Sequence, residues 1–304
     1  MEHALQELRK QGFQVRTAST PHLPELQEVI KGRHDRGEFS EKFYQERLAD
    51  LRFTPPKSLP GARTIIVAAF PQPKIQVLFH LRGKSFAILI PPTYLYYPNS
   101  RAEEILKRIL GPVGLRTART NLPLKLLAAR SGLGSYGRNN ICYVPGMGSY
   151  HRLMAFYSDD PASEDSWQEA RLMERCRNCR ACLKSCPTGA IAADRFLLHA
   201  DRCLTNLNER PGDFPDWVKG SFHNALVGCH YCQDVCPENA PFRKWIEPGG
   251  EFTEEETRFL LGDPDAKLPA SIHKKLQDLD IIEYRELLPR NLRAVLAASG
   301  KKIL

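Results

Sequence analysis

The sequence predicts an α+β/α/β protein in three parts: an N-terminal α/β domain over residues 1–160, a small cysteine-rich domain over 172–245 and a short helical C-terminal region over 250–304. Three observations carry this prediction. Short β-rich runs bounded by Pro and Gly alternate with amphipathic segments as far as Ser158. An acidic, turn-rich stretch, DDPASEDSWQEA, then changes the composition. Beyond it, eight of the nine cysteines fall between Cys176 and Cys236.

The first fifty residues read as helical, because LPELQEVIKG and SEKFYQERLADL place apolar residues three and four apart. PPKSLPGA breaks the chain, and RTIIVAAF, IQVLFHL and SFAILI follow as strands rich in β-branched and aromatic residues. SRAEEILKRIL predicts a helix opened by a capping box, Ser100 with Glu103 three residues on. NLPLKLLAARSGLG predicts another, capped by Asn121 and stopped at Gly132 or Gly134. NNICYV and HRLMAFYS complete the strands. After EPGGE, the segments TEEETRFLL, SIHKKLQDL and RNLRAVLAA predict two or three helices packed on the body.

A chain of 304 residues with 42% hydrophobic content is long enough to bury a real core. No apolar run approaches the length of a membrane span, and MEHALQELRKQGF lacks the apolar centre of a secretion signal. A cytoplasmic protein without membrane attachment is expected. In that compartment an odd set of nine cysteines points to metal or redox chemistry rather than to structural disulfides.

Charge is spread unevenly. The net formal charge is +8, yet Leu51–Ser158 holds fifteen Lys and Arg against two carboxylates, Glu103 and Glu104. Seven of the ten tyrosines lie in the same stretch. Such a segment is either a basic solvated face or a surface for an anionic partner, such as nucleic acid, a phosphate-bearing cofactor or an acidic protein.

CRNCRACLKSCP reads C-x2-C-x2-C-x3-C-P: Cys176, Cys179, Cys182 and Cys186, then Pro187. A second set has Cys203 and then, after 25 inserted residues, Cys229, Cys232 and Cys236, followed by Pro237. This is the spacing of bacterial ferredoxins with two [4Fe–4S] clusters, where the fourth cysteine ligates the other cluster. Crossed ligation assigns Cys176, Cys179, Cys182 and Cys236 to one cluster, and Cys186, Cys203, Cys229 and Cys232 to the other. Zinc also accepts four thiolates, but its sites rarely run three cysteines at this spacing into Cys-Pro twice over. Cys142 stands apart in NNICYVPG, either as a buried apolar filler or as a reactive thiol. Clusters carry single electrons and choose no substrate, so the preceding 170 residues are expected to hold a second redox centre. Neither G-x-G-x-x-G after a strand nor G-x-x-x-x-G-K-[ST] is present, and SGLGSYGRNN matches neither spacing.

Three stretches resemble the epoxyqueuosine reductase family, relatives of the reductive dehalogenases. They are LRFTPPKSLPGARTIIVAAF, LAARSGLGSYGRNN with GSYHRLMAFY, and the cysteine pattern with DRCLTNLNE and VGCHYCQDVCPEN. LLPRNLRAVLAA is similar to part of that family's C-terminal helical region. The resemblance implies a ferredoxin-like double-cluster domain and a base-off cobalamin lying between it and the α/β domain, reduced by a cluster to nucleophilic Co(I). The corrinoid-binding residues it implies are Ser135, Tyr136, Gly137, Arg138, Asn139 and Asn140, then Ser149 and His151. Val227, Gly228 and His230, beside the cluster cysteines, are implied on the other side. No D-x-H-x-x-G occurs, so no histidine ligand to cobalt is expected, as in the family. An external low-potential electron donor is the implied partner, with tRNA or another anionic partner on the 51–158 segment.

The resemblance breaks at the proton donor. The family places an acid in D-[ST]-x-P shortly before G-L-G; the matching stretch here, RTARTNLPLKLLAARSGLG, has no Asp or Glu, with Ala118 or Thr120 at the acid's place. Reductive opening of an epoxide needs such an acid. The reductive dehalogenases use a tyrosine with a basic neighbour, which makes Tyr96, Tyr97 and Tyr136 candidate proton donors, close in sequence to Arg82, Lys84 and Arg138. A cation beside a phenol lowers its pKa. The helical tail of 250–304 is expected to offer less surface for tRNA than that of an epoxyqueuosine reductase. The expected function is therefore a cobalamin- and iron–sulfur-dependent reductase resembling epoxyqueuosine reductase, whose substrate need not be epoxyqueuosine. The alternatives are a true epoxyqueuosine reductase of tRNA queuosine biosynthesis, or an electron-transfer or corrinoid-handling protein with no substrate chemistry.

Overall fold

The computed structural model describes residues 1–161 and 164–300. In chain order the elements are α1 (Glu2–Lys10), β1 (Gln14–Ser19), α2 (Leu23–Asp35), α3 (Glu41–Arg47), β2 (Thr64–Pro71), β3 (Lys74–Leu81), β4 (Lys84–Ile90) and α4 (Tyr97–Leu110). Then come β5 (Thr117–Arg119), α5 (Leu124–Arg130), β6 (Ser135–Tyr136), β7 (Cys142–Tyr143) and β8 (His151–Ser158). The cysteine region carries α6 (Ala181–Ser185), α7 (Leu204–Asn208) and α8 (Tyr231–Asp234). The chain closes with β9 (Ile246–Phe252), α9 (Glu254–Leu260), α10 (Ala270–Asp278) and α11 (Leu288–Gly300). Two compact units result: Met1–Pro71 with Tyr96–Cys179, and Gln72–Leu95 with the chain from Arg180 onward.

The first unit is built on a sheet of order β1-β2-β8-β5, antiparallel at every pairing. Side chains of a strand alternate between its faces, and β2 lies inside the sheet, so both of its faces are covered. Ile65, Val67 and Ala69 enter a core with Leu26 of α2 and Leu126 and Leu127 of α5. Ile66 and Ala68 enter a second core with Leu5 and Leu8 of α1 and Ile105 and Leu106 of α4. That double burial explains why TIIVAAF reads as one continuous apolar run.

The second unit holds a smaller sheet, β4-β3-β9. Arg82 (φ 52°) and Gly83 (φ 70°) close the β3–β4 hairpin, two residues at positive φ as a two-residue type I′ turn requires. β9 runs parallel to β3 with a register shift between Gln76 and Leu78. EPGGE, to which the sequence assigned no element, supplies this strand; a Cβ on Gly249 would meet the methyls of Ile75 and Val77. The hairpin shares a core with Leu260 of α9, Ile272 and Leu276 of α10 and Leu288 and Leu292 of α11. The compact units therefore cut across the linear division expected at residue 160, because strand pairing ties 74–90 to the C-terminal segments.

Other departures have local causes. α4 begins at Tyr97, with Pro98 in its first turn, so Ser100 lies inside the helix and the expected capping box does not form. α5 has no side-chain cap; Asn121 instead donates to the Asp50 carbonyl at 2.8 Å. A capping box does open α9, between Thr253 and Glu256. Among the described residues no helix is long and apolar enough to cross a membrane.

Phe252 of β9 is 1% exposed and stacks on Phe79 of β3 with ring centroids 4.9 Å apart. Phe252→Ala is expected to cost about 3–5 kcal/mol of stability, against less than about 1 kcal/mol for Ile246→Ala at the exposed end of the same strand. Urea denaturation of the two variants checks this.

Candidate redox site

The two Cys-Pro segments adopt one design. α6 carries Cys182 and ends at Cys186, whose backbone is extended (φ −75°, ψ 108°) before Pro187. α8 carries Cys232, and Cys236 is likewise extended (φ −69°, ψ 125°) before Pro237. A residue preceding proline is pushed out of the helical region by the proline ring. Each Cys-Pro therefore follows a short helix and leaves its cysteine in an extended backbone. Cys203 sits extended at the start of α7 (φ −74°, ψ 122°). Cys176 lies in a single helical turn, Glu174–Arg177. Cys176 and Cys179 fall in the first unit and the other six in the second.

None of the nine cysteines is in a disulfide. Burial pushes the thiols of Cys203 and Cys229 up, Cys229 to about 12, so a bare thiolate is disfavoured where it stands. A coordinated metal reverses that balance by supplying the opposing charge. Among the described residues no three His, Cys, Asp or Glu side chains gather as ligands of a single metal ion. A [4Fe–4S] cluster asks for something different, one thiolate on each of its irons, and the eight thiols match that chemistry. Cys142 behaves as a filler: it is buried in the first core, and burial raises its thiol to about 12.

In the first unit, Ser135–Asn140 forms a tight hairpin between β6 and β7. Gly137 N–H donates to the Ile141 carbonyl at 2.8 Å, and Asn140 holds φ 55°. A Cβ on Gly137 would lie 2.6 Å from Asn139 Oδ1, so glycine is required there. Asn139 is buried and its Nδ2 donates to the Tyr143 hydroxyl at 3.0 Å. Arg138 reaches out of this hairpin to the Cys176 carbonyl, 2.7 Å away, and ties the Gly-rich turn to the first cysteine motif. Ser149 and His151 are buried nearby in sequence.

Two buried nitrogens of this region have no hydrogen-bond partner, His151 Nδ1 and Arg138 Nε. His151 Nε2 lies 3.0 Å from the Cys142 carbonyl, which can only accept, so Nε2 carries the proton and Nδ1 presents a bare lone pair. Unpaired buried polar atoms are rare and costly. A corrinoid carries a rim of amide groups that donate and accept hydrogen bonds, and these residues fit such a ligand.

Val227 and Gly228 are buried in the second unit. Gly228 has φ +65°, and a Cβ there would collide with the ring of Tyr94, 2.9 Å from Cζ. Tyr94 is itself buried, and its hydroxyl donates to Glu209. Both ring nitrogens of His230 are engaged: Nδ1 with Asp234 Oδ2 at 2.5 Å and Nε2 with the Asn224 carbonyl at 2.9 Å. Sequence reasoning missed Tyr94, Glu209 and Asn224, whose partners lie far along the chain or in turns without a motif.

The candidate proton donors separate. Tyr96 and Tyr97 are exposed at the start of α4. The cation on Tyr96 is Arg152, its guanidinium 3.8 Å from the ring centroid; Arg82 and Lys84 belong to the hairpin of the other unit. Tyr97 meets Phe70 edge-on at 6.0 Å. Tyr136 is the reverse of an activated phenol, since desolvation pushes its pKa up. Of the two carboxylates in 51–158, Glu103 is bound by Lys107 at 2.7 Å and Arg119 at 2.6 Å, and these hold it below the usual carboxylate range. The basic excess of that segment is also partly spoken for: Arg116 pairs with Asp159, Arg108 with Glu7, and buried Lys74 with Asp234.

His151 and His223 are both buried, and desolvation lowers each to about 4. The unfolded chain, with histidines near 6.5, binds more protons between those values, so stability is full above pH 6.5 and falls as pH drops toward 4. Each contributes up to about 3 kcal/mol of that loss. Thermal denaturation from pH 7 to pH 4.5 should show a falling midpoint, and His151→Gln should flatten the slope.

Residues 175–239 match the model of a 4Fe-4S double cluster binding domain. The epoxyqueuosine reductase of Pseudomonas aeruginosa is 29% identical over 264 residues, covering 80% of this chain and 68% of that protein. The epoxyqueuosine reductase of Staphylococcus aureus is 27% identical over 237 residues, covering 71% of this chain and 58% of its own length. The chain thus spans about two thirds or less of these relatives. The crystal structure of an epoxyqueuosine reductase with an epoxyqueuosine-modified tRNA-Tyr stem loop superposes with a TM-score of 0.70 at 23% identity, over 98% of this chain and 80% of that one. Residues 175–239 thus carry a double [4Fe–4S] domain, and over most of its length the chain is similar to epoxyqueuosine reductases.

Proposed function

We propose that the chain is an oxidoreductase in which the two clusters pass electrons to a base-off corrinoid, and that its substrate is something other than epoxyqueuosine. The eight-thiol pattern carries the electron-transfer half. The unpartnered nitrogens of His151 and Arg138 support the corrinoid half. When bound, a corrinoid supplies a strongly reducing, nucleophilic cobalt centre. The chain's own residues do the rest. His151 stays neutral and offers Nδ1 as an acceptor, Arg138 locks the Gly-rich hairpin to the Cys176 segment, and Tyr96 beside Arg152 is the proton donor.

The substrate half rests on chemistry that is missing. Residues 116–134 hold no carboxylate, and Glu103 is committed to Lys107 and Arg119. The stretch where the family keeps its acid is instead an edge strand, β5, followed by Thr120, whose hydroxyl donates to the Ala155 carbonyl at 3.2 Å. A true epoxyqueuosine reductase acting on tRNA remains the second reading, favoured by the basic 51–158 segment and by the tRNA-bound relative. An electron carrier or corrinoid-handling protein is the third, and it needs no proton donor at all.

Anaerobic reconstitution followed by cobalamin titration tests the corrinoid. The cobalt absorption is expected to shift to the base-off form, with binding weakened tenfold or more by Arg138→Ala or His151→Phe; an unchanged spectrum removes the corrinoid. Expression in a host lacking its own epoxyqueuosine reductase is expected to leave tRNA queuosine unrestored, and restoration would establish the second reading. With a low-potential donor and a panel of reducible substrates, Tyr96→Phe is expected to lower kcat about 10²-fold or more. Rapid electron transfer with no turnover of any substrate would favour the carrier.

A further inference from the structure

Cys229 has a neighbour that no cysteine motif contains. Asn224 Nδ2 lies 3.5 Å from Cys229 Sγ. The other end of the same amide is fixed, since Asn224 Oδ1 accepts from His230 N–H at 3.4 Å. An amide whose oxygen faces an N–H must turn its own N–H2 the other way, so the donor on the sulfur follows from the network. The Asn224 backbone is held as well, its carbonyl facing His230 Nε2 at 2.9 Å. His230 is braced in turn by Asp234, and Asp234 meets Lys74 Nζ at 3.1 Å, a buried cation delivered by β3. Although burial pushes the Asp234 carboxyl up, His230 and Lys74 hold it below the usual range.

We propose that Asn224 sets the reduction potential of the cluster ligated by Cys229, through a side-chain N–H···S hydrogen bond held in place by His230. Hydrogen bonds to cluster sulfurs are among the levers that fix such potentials. The positive end of the N–H dipole stabilises the extra electron on the reduced cluster and raises its potential. The inference rests on the two-cluster reading and not on the corrinoid.

The test uses the full chain with both clusters reconstituted anaerobically and titrated by EPR. Asn224→Leu and Asn224→Asp each remove the N–H, and each is expected to move the midpoint of one cluster to more negative potential while the other stays fixed. Asn224→Asp should shift it further, by setting a carboxylate against the thiolate. Unchanged midpoints with both clusters loaded overturn the proposal; a wild-type chain that loads no clusters overturns the two-cluster reading instead. Should the variants fail to load, the wild-type chain labelled with 15N-asparagine decides by pulsed EPR. A side-chain 15N coupling to the reduced cluster is expected, and its absence overturns the proposal.

Discussion

The steric clash between a proline ring and the residue before it organises the electron-carrying part of this molecule. Cys186 and Cys236 each end a helix of one turn or little more because Pro187 and Pro237 forbid its continuation. That fixes the backbone of each terminal cysteine as extended, outside the helix that precedes it. Side-chain hydrogen bonds to backbone carbonyls hold the segments around these turns. Asn208 donates to the Gly228 carbonyl at 2.6 Å, Asn291 of α11 donates to the Asn208 carbonyl at 2.9 Å, and Arg290 reaches the Leu207 carbonyl at 3.0 Å. Side-chain amides and a guanidinium group thus satisfy backbone carbonyls in a segment too short in strand and helix to satisfy its own backbone.

The C-terminal helices and the β3–β4 hairpin form the support for that region. Tyr94, at the exit of the hairpin, packs its ring against Gly228 and donates to Glu209, so the two segments flanking Cys203 and Cys229 are joined through one phenol. Lys74 enters from β3 and closes the ion network on Asp234. Gln72 is buried and clips the turn before Tyr94, accepting from Thr93 N–H at 2.9 Å and donating to the Leu95 carbonyl at 2.7 Å. The hairpin is therefore part of the apparatus around the second cysteine set.

Sequence reading recovered the elements whose signal is local. β2, β3, β4 and β8 announced themselves by β-branched runs, α2, α9, α10 and α11 by apolar spacing, and the double-cluster domain by cysteine spacing. What stayed hidden depends on partners far along the chain. β9 is glycine-rich and exposed at most positions, so nothing in EPGGE declares a strand; it exists because β3 offers an edge. The assignment of 74–90 to the second unit follows from the same pairing. At α4 two start signals competed, and Pro98 in the first turn prevailed over Ser100 as cap. Among the site residues, Cys229 was legible while Asn224 beside it was not, because a lone asparagine in a turn carries no pattern.

The absence of the family's acid has a structural counterpart that sharpens its meaning. Residues 117–119 are recruited as the edge strand of the first sheet, with Arg119 anchored on Glu103 and Arg116 on Asp159. A loop that delivers an acid to a substrate needs freedom to approach it, whereas this segment is bonded along its length to β8. Restoring a carboxylate at Ala118 or Thr120 would place a charge on or beside a paired strand, with the Thr120 hydroxyl already committed to Ala155. With 117–119 paired to β8 and no carboxylate in 116–134, proton delivery in the proposed reaction falls to a side chain outside that stretch, for which Tyr96 beside Arg152 is the candidate.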